Sequence, residues 1–97
     1  MPTYLVLGKY TAQGISNIKD SPQRTENARK AVEAAGGKMG ELYLTMGRYD
    51  FATIVEAPDD ETFARVLLTI TSGGTITTET LRAFTEDERR AIVAGMP

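Results

Sequence analysis

A two-layer α+β fold built on an antiparallel sheet is predicted by three features of this 97-residue sequence. Leu42–Glu56 reads as a β-hairpin, two alternating runs that meet at Gly47–Arg48. Two helical stretches lie on either side of it, each ended by a Gly-Gly pair, Gly36–Gly37 and Gly73–Gly74. Two further strands, Thr3–Tyr10 and Thr75–Phe84, stand outside the helices.

The first strand carries Tyr4, Leu5, Val6 and Leu7 in succession, apolar on both alternations, as a central strand covered on both faces should be. Gly8 interrupts it, either as a bulge or where another group approaches the backbone closely. Thr11–Ile15 reads as a loop entering a short helical turn, with Ile15 and Ile18 pointing inward. Ser21–Pro22 predicts a helix start, Ser as N-cap and Pro at the first helical position, where its missing N–H costs nothing. That helix runs to about Ala35, and its inward stripe of Ala28, Ala31, Val32 and Ala35 lets it sit close to a sheet.

The second strand, Lys38–Met46, alternates cleanly. A two-residue II′ turn at Gly47–Arg48 places Leu44 opposite Phe51 and Tyr43 opposite Ala52. After Pro58, Asp59 or Asp60 caps a second helix in which Phe63, Val66, Leu67 and Ile70 recur at helical spacing. Thr75–Phe84 is β-branched and alternating, and Thr85–Glu88 fits a capping box that opens a last helix through about Val93. The order is β-α-β-β-α-β plus a tail helix. This is the ferredoxin-like arrangement, a four-stranded antiparallel sheet with both helices on one face, in a single domain spanning residues 1–97.

Composition narrows the chemistry. With 11 basic and 13 acidic residues and no basic run, the net charge of −2 offers no global attraction to nucleic acid or to an anionic membrane. The sequence has no Cys and no His, which excludes disulfides, thiol nucleophiles, a His base and His-ligated metals; no calcium-loop spacing is present, and no metal or cofactor is expected. There is no signal-peptide pattern and no apolar run long enough to span a bilayer, so a cytoplasmic location is expected.

Helices on one face leave the other face of the sheet open. The first strand is apolar on that side too, and Ile54 and Tyr43 are expected there. Such a patch is best covered by a second copy, which predicts a homodimer or higher oligomer: a dimeric α+β barrel.

Met46–Gly47–Arg48–Tyr49–Asp50–Phe51, continuing through Ala52–Asp60, resembles the GYD domain family of small bacterial and archaeal proteins. Gly47, Tyr49 and Asp50 match the pattern that names the family, and Gly8–Ile15 and Gly36–Gly37 also fit. The resemblance implies a dimeric α+β barrel and no reaction. The same hairpin is similar to the small-molecule-sensing half of the leucine-responsive regulators, without their helix-turn-helix half.

Candidate ligand-binding residues are Lys9, Tyr10, Arg24, Tyr43, Tyr49 and Asp50. Tyr49 and Asp50 form either a cavity-rim pair or an architectural corner, with Asp50 tying down turn amides. Lys9 and Tyr10 end the first strand and line a pocket with Asp50 if Gly8 leaves room; otherwise they are a solvated strand end. Arg24 is either a bidentate carboxylate clamp or a surface residue. Tyr43 serves ligand or dimer packing. Two function classes follow: a non-catalytic oligomeric module that binds a small ligand or whose assembly is its role, and a small cofactor-independent isomerase or oxygenase. The shortage of bases favours the first.

Overall fold

The computed structural model describes residues 1–97. Its elements are β1 (Thr3–Tyr10), α1 (Ala12–Ser16), a 3-10 turn (Ile18–Asp20), α2 (Ser21–Ala34), β2 (Lys38–Met39), β3 (Tyr43–Leu44), β4 (Phe51–Glu56), α3 (Asp60–Thr71), β5 (Ile76–Ala83) and α4 (Glu86–Ala94). The strands order as β2-β4-β1-β5, β3 also pairs with β4, and every pairing is antiparallel. This is the expected ferredoxin-like sheet, with β1 at its centre.

Burial alternates along β1 and β4. Tyr4, Val6 and Gly8 face the helices together with Phe51, Thr53 and Val55, all buried. Val32 of α2 and Phe63 of α3 close the core over Tyr4, Val6, Val55 and Ala57. Both long helices therefore cover one face. Tyr4 and Phe63 meet with ring centroids 4.6 Å apart, and the Tyr4 hydroxyl donates to Asp60 in the first turn of α3. Burial and that carboxylate together push the Tyr4 hydroxyl up to about 12.

Helix ends follow local chemistry. Asp59 caps α3, its carboxylate accepting the Thr62 N–H at 2.7 Å, a bond that holds Asp59 below the usual carboxylate range. Thr85 and Glu88 exchange the reciprocal bonds of a capping box at α4. At α2 the expectation shifts by one residue. The 3-10 turn runs straight into the helix, so Ser21 is already helical and Asp20 takes the cap position, with Pro22 still in the first turn where no N–H is required. Ile15 and Ile18, expected to point inward, are exposed instead. The α1 turn packs through Gly14, where a Cβ would lie 2.1 Å from the Thr75 carbonyl oxygen.

The second strand departs further from expectation. Only Lys38–Met39 and Tyr43–Leu44 pair with β4. Met39 lies opposite Val55 and Tyr43 opposite Ala52, so three residues on one strand oppose two on the other: a β-bulge at Gly40–Leu42. Two of its carbonyls are taken up by side chains. The buried Thr53 hydroxyl donates to the Glu41 carbonyl at 2.9 Å, and Arg29 donates to the Gly40 carbonyl at 3.2 Å. Beyond the bulge the hairpin keeps the expected register, Tyr43 with Ala52 and Leu44 with Phe51.

The tip is wider than a two-residue turn. Thr45 N–H donates to the Asp50 carbonyl at 2.8 Å, and the Thr45 hydroxyl donates to the Tyr49 carbonyl at 2.6 Å. Gly47 sits at φ +139°, where a side chain would be strained.

Gly8 is explained by close approach. A Cβ built there would lie 2.0 Å from the Phe51 ring. Gly8→Ala should cost about 1–3 kcal/mol through overpacking, read as a lower urea midpoint with an unchanged slope. The raised Tyr4 hydroxyl gives a pH dependence. Its contribution is fully present below pH 10, the ordinary tyrosine value, and is lost as pH rises through about 12. Tyr4→Phe should shrink the fall in unfolding free energy between those limits, measured by denaturant titration at each pH.

Candidate functional site

The sheet divides the candidate residues between its two faces. On the open face, the β1–β5 register sets Lys9 beside Thr77, Leu7 beside Glu79 and Leu5 beside Leu81. The β1–β4 register sets Leu5 beside Ile54 and Leu7 beside Ala52. Leu81, Leu5 and Ile54 thus form a row straight across the sheet, and Tyr43 flanks the next row beside Ala52. Ile54 is 55% exposed, Tyr43 59% and Leu81 45%, so this face is bare in one chain.

At the hairpin end of that face, Tyr49 donates its hydroxyl to Glu79 at 2.6 Å, and the Lys9 ammonium stands 5.8 Å from the Tyr49 ring centroid. These three residues, with Leu7 and Thr77, line a shallow cleft of about 250 Å³. The hydrogen bond to the Glu79 carboxylate raises the Tyr49 hydroxyl above the ordinary tyrosine value, because a phenolate there would face a carboxylate.

On the helix face, a cavity of about 410 Å³ lies between the sheet and helices α2 and α3. Tyr10 and Arg24 line it, among mostly apolar neighbours that include Val6, Ala28, Phe51 and Leu67. Tyr10 packs on Phe51, centroids 5.4 Å apart. The Arg24 guanidinium is engaged by the chain itself, donating to the Asn17 carbonyl at 2.9 Å and the Gly14 carbonyl at 3.3 Å, where it holds the segment that leads into α2.

Asp50 joins neither set directly. Its carboxylate accepts the Tyr10 backbone N–H at 2.9 Å, while its own N–H donates to the Gly8 carbonyl at 2.8 Å. The side chain thereby extends the β1–β4 ladder past its last residue pair. It binds the neighbouring strand rather than the turn amides.

The structure therefore brings Lys9, Tyr49 and Tyr43 to the open face and Tyr10 and Arg24 to the helix-side cavity, with Asp50 between them as a strand tie. Glu79 is the neighbour of Tyr49 and Lys9 in this cleft that the sequence set left out. The signal for it is the β1–β5 register, which follows a long crossover and is not given by any turn. No group of three or more acidic side chains gathers with metal-ligand geometry, and no helix is long and apolar enough to cross a membrane.

The fold and the two faces define a small ferredoxin-like module with an uncovered sheet surface. The chain belongs to the GYD domain family, whose pattern matches residues 4–93. It is 36% identical over 85 residues to the glutamine synthetase and cystathionine beta-lyase binding protein of Thermus thermophilus, covering 87% of this chain and 90% of that protein. Among solved structures, one from Thermus thermophilus superposes with a TM-score of 0.56 at 26% identity, covering 88% of this chain and 95% of that one. A feast or famine regulatory protein from M. tuberculosis, complexed with L-methionine, superposes with a TM-score of 0.63 at 17% identity. The match covers 90% of this chain but only 54% of the regulator, and it shows a shared fold.

The Tyr49–Glu79 pair can be tested by titration. Glu79→Gln should lower the pH at which Tyr49 ionises, measured by ultraviolet difference absorbance against a Tyr49→Phe control. An unchanged curve would show that the pair does not persist in solution.

Proposed function

We propose that this chain is a non-catalytic, self-associating binding module, and that the surface of self-association is the open sheet face. One observation carries the reading: the Leu81–Leu5–Ile54 row, flanked by Tyr43, on a face that no element of the chain covers. A contiguous apolar surface of this kind gains by leaving water, at roughly 25 cal/mol per Å² buried. A two-fold related copy offers the same row in return and closes two sheets into a barrel. Phe84, Ile92 and Val93 near the C-terminal end are exposed as well, so burying them on association would add to that gain.

The binding role is inferred from the relative, which is named for its attachment to two enzymes of amino-acid metabolism. By that likeness we assign this chain partners of the same kind, glutamine synthetase or cystathionine beta-lyase. The engagement of the polar groups supports a module without a reaction of its own. Asp50 is held by the Tyr10 N–H, Glu79 by the Tyr49 hydroxyl, and Arg24 by two backbone carbonyls.

Two measurements separate assembly from partner binding. Light scattering should give at least twice the chain mass at micromolar concentration, and Ile54→Lys should weaken self-association at least tenfold, about 1.4 kcal/mol. A monomeric wild type would end the assembly reading. Biolayer interferometry against purified glutamine synthetase and cystathionine beta-lyase should show saturable binding; no response to either enzyme would end the partner assignment and leave assembly untouched.

A further inference from the structure

We propose that the cavity between the sheet and helices α2 and α3 is a binding site for a small, uncharged aromatic or branched apolar molecule. This goes beyond the assembly reading and is independent of it, because the cavity lies on the opposite side of the sheet from the open face. Protein interiors pack about as densely as organic crystals and rarely leave voids much larger than a water molecule. Here about 410 Å³ stands between the two layers of a 97-residue chain.

The space has a local cause. Helix α2 offers Ala28 and Ala31 where a core helix ordinarily presents longer side chains, and the sheet offers Thr78 as part of the floor. Beside Thr78 the strand position is Gly8, already occupied from above by the Phe51 ring. These short side chains leave space among the larger lining residues, Phe51, Phe63 and Leu67.

Size and lining define the ligand class. An apolar cavity of about 150 Å³ takes up benzene, and drug-sized ligand pockets begin at about 300 Å³. The present volume therefore suits a molecule of two or three fused or linked rings, or a branched aliphatic of similar bulk. The lining is mostly apolar, which favours an apolar occupant over a strongly polar one. The one charged lining residue, Arg24, already spends two donors on the Asn17 and Gly14 carbonyls, so a carboxylate is not required of the ligand. Tyr10 and Thr78 on the sheet side, with Ser21, Thr25, Thr69 and Thr75 elsewhere in the lining, supply hydroxyls for a polar substituent. The lining runs from buried Val6, Val32 and Phe63 to exposed Asn27, Thr69 and Gly73, so the cavity reaches the surface and a ligand can enter.

The test uses the full chain and the uncharged fluorescent probe N-phenyl-1-naphthylamine. Wild type should bind it saturably, one probe per chain, with a blue shift. Ala28→Leu and Ala31→Leu, which fill the space, should weaken binding at least tenfold, and Ile54→Lys on the other face should leave it unchanged. Absence of saturable binding to wild type overturns the proposal. So does unchanged affinity in both leucine variants, or loss of binding in Ile54→Lys alone, which would place the probe on the open face. Should the leucine variants fail to fold, nuclear Overhauser contacts on wild type decide: contacts from the probe to the Ala28 and Ala31 methyls support the site, and their absence overturns it.

Discussion

The ring of Phe51 occupies the space that a side chain on Gly8 would need, and much of the structure depends on that contact. It lies where β1 and β4 pair for the last time, Gly8 opposite Phe51, so the two strands meet there at one register only. The residue before it, Asp50, donates its N–H to the Gly8 carbonyl and receives the Tyr10 N–H on its carboxylate. The hairpin is thus anchored to the central strand by both main chain and side chain. The Tyr10 ring, packed on Phe51, extends the same contact toward the cavity.

That anchoring explains how chemistry is distributed over the molecule. The sheet has one covered face and one bare face, and strand alternation sends successive residues to opposite sides. Lys9 and Tyr10 are neighbours in sequence, yet Lys9 stands in the open cleft with Tyr49 and Glu79 while Tyr10 lines the space beneath α2. Asp50 sits at the boundary and spends its charge on a backbone donor. Residues that stand close together along the chain are separated in space by the thickness of a sheet.

Much of the fold was legible because strong local signals agreed. The helical spacing from Phe63 to Ile70, the Gly-Gly terminators and the capping box at Thr85–Glu88 each act within a few residues, and each holds in the structure. The hairpin register was legible from the turn placed at Gly47–Arg48, and the pairing of Leu44 with Phe51 holds even though the tip is wider than two residues. What escaped has longer range. The Gly40–Leu42 bulge is stabilised by Thr53 and Arg29, partners 12 and 11 residues from the carbonyls they serve, so no local pattern marks it. Arg24 reaches back 7 and 10 residues to carbonyls whose position depends on the tertiary path of Thr11–Asp20. Glu79 meets Tyr49 only once β5 has returned across the sheet beside β1. The cavity is an absence of side chains, and a stripe of alanines reads equally well as close packing.

The bulge has a further meaning for how this chain tolerates change. On either side of it, Met39 and Tyr43 keep the faces set by their partners Val55 and Ala52, although one strand has a residue more than the other between them. The surplus residue is taken up in place, like slack in a rope tied at both ends. A one-residue deletion within Gly40–Leu42 would leave a regular ladder with every flanking side chain on its present face. The same deletion in β1 or β4 would exchange core for surface along the strand. The sheet thus contains a joint at which chain length can drift without rewriting the pattern of inside and outside.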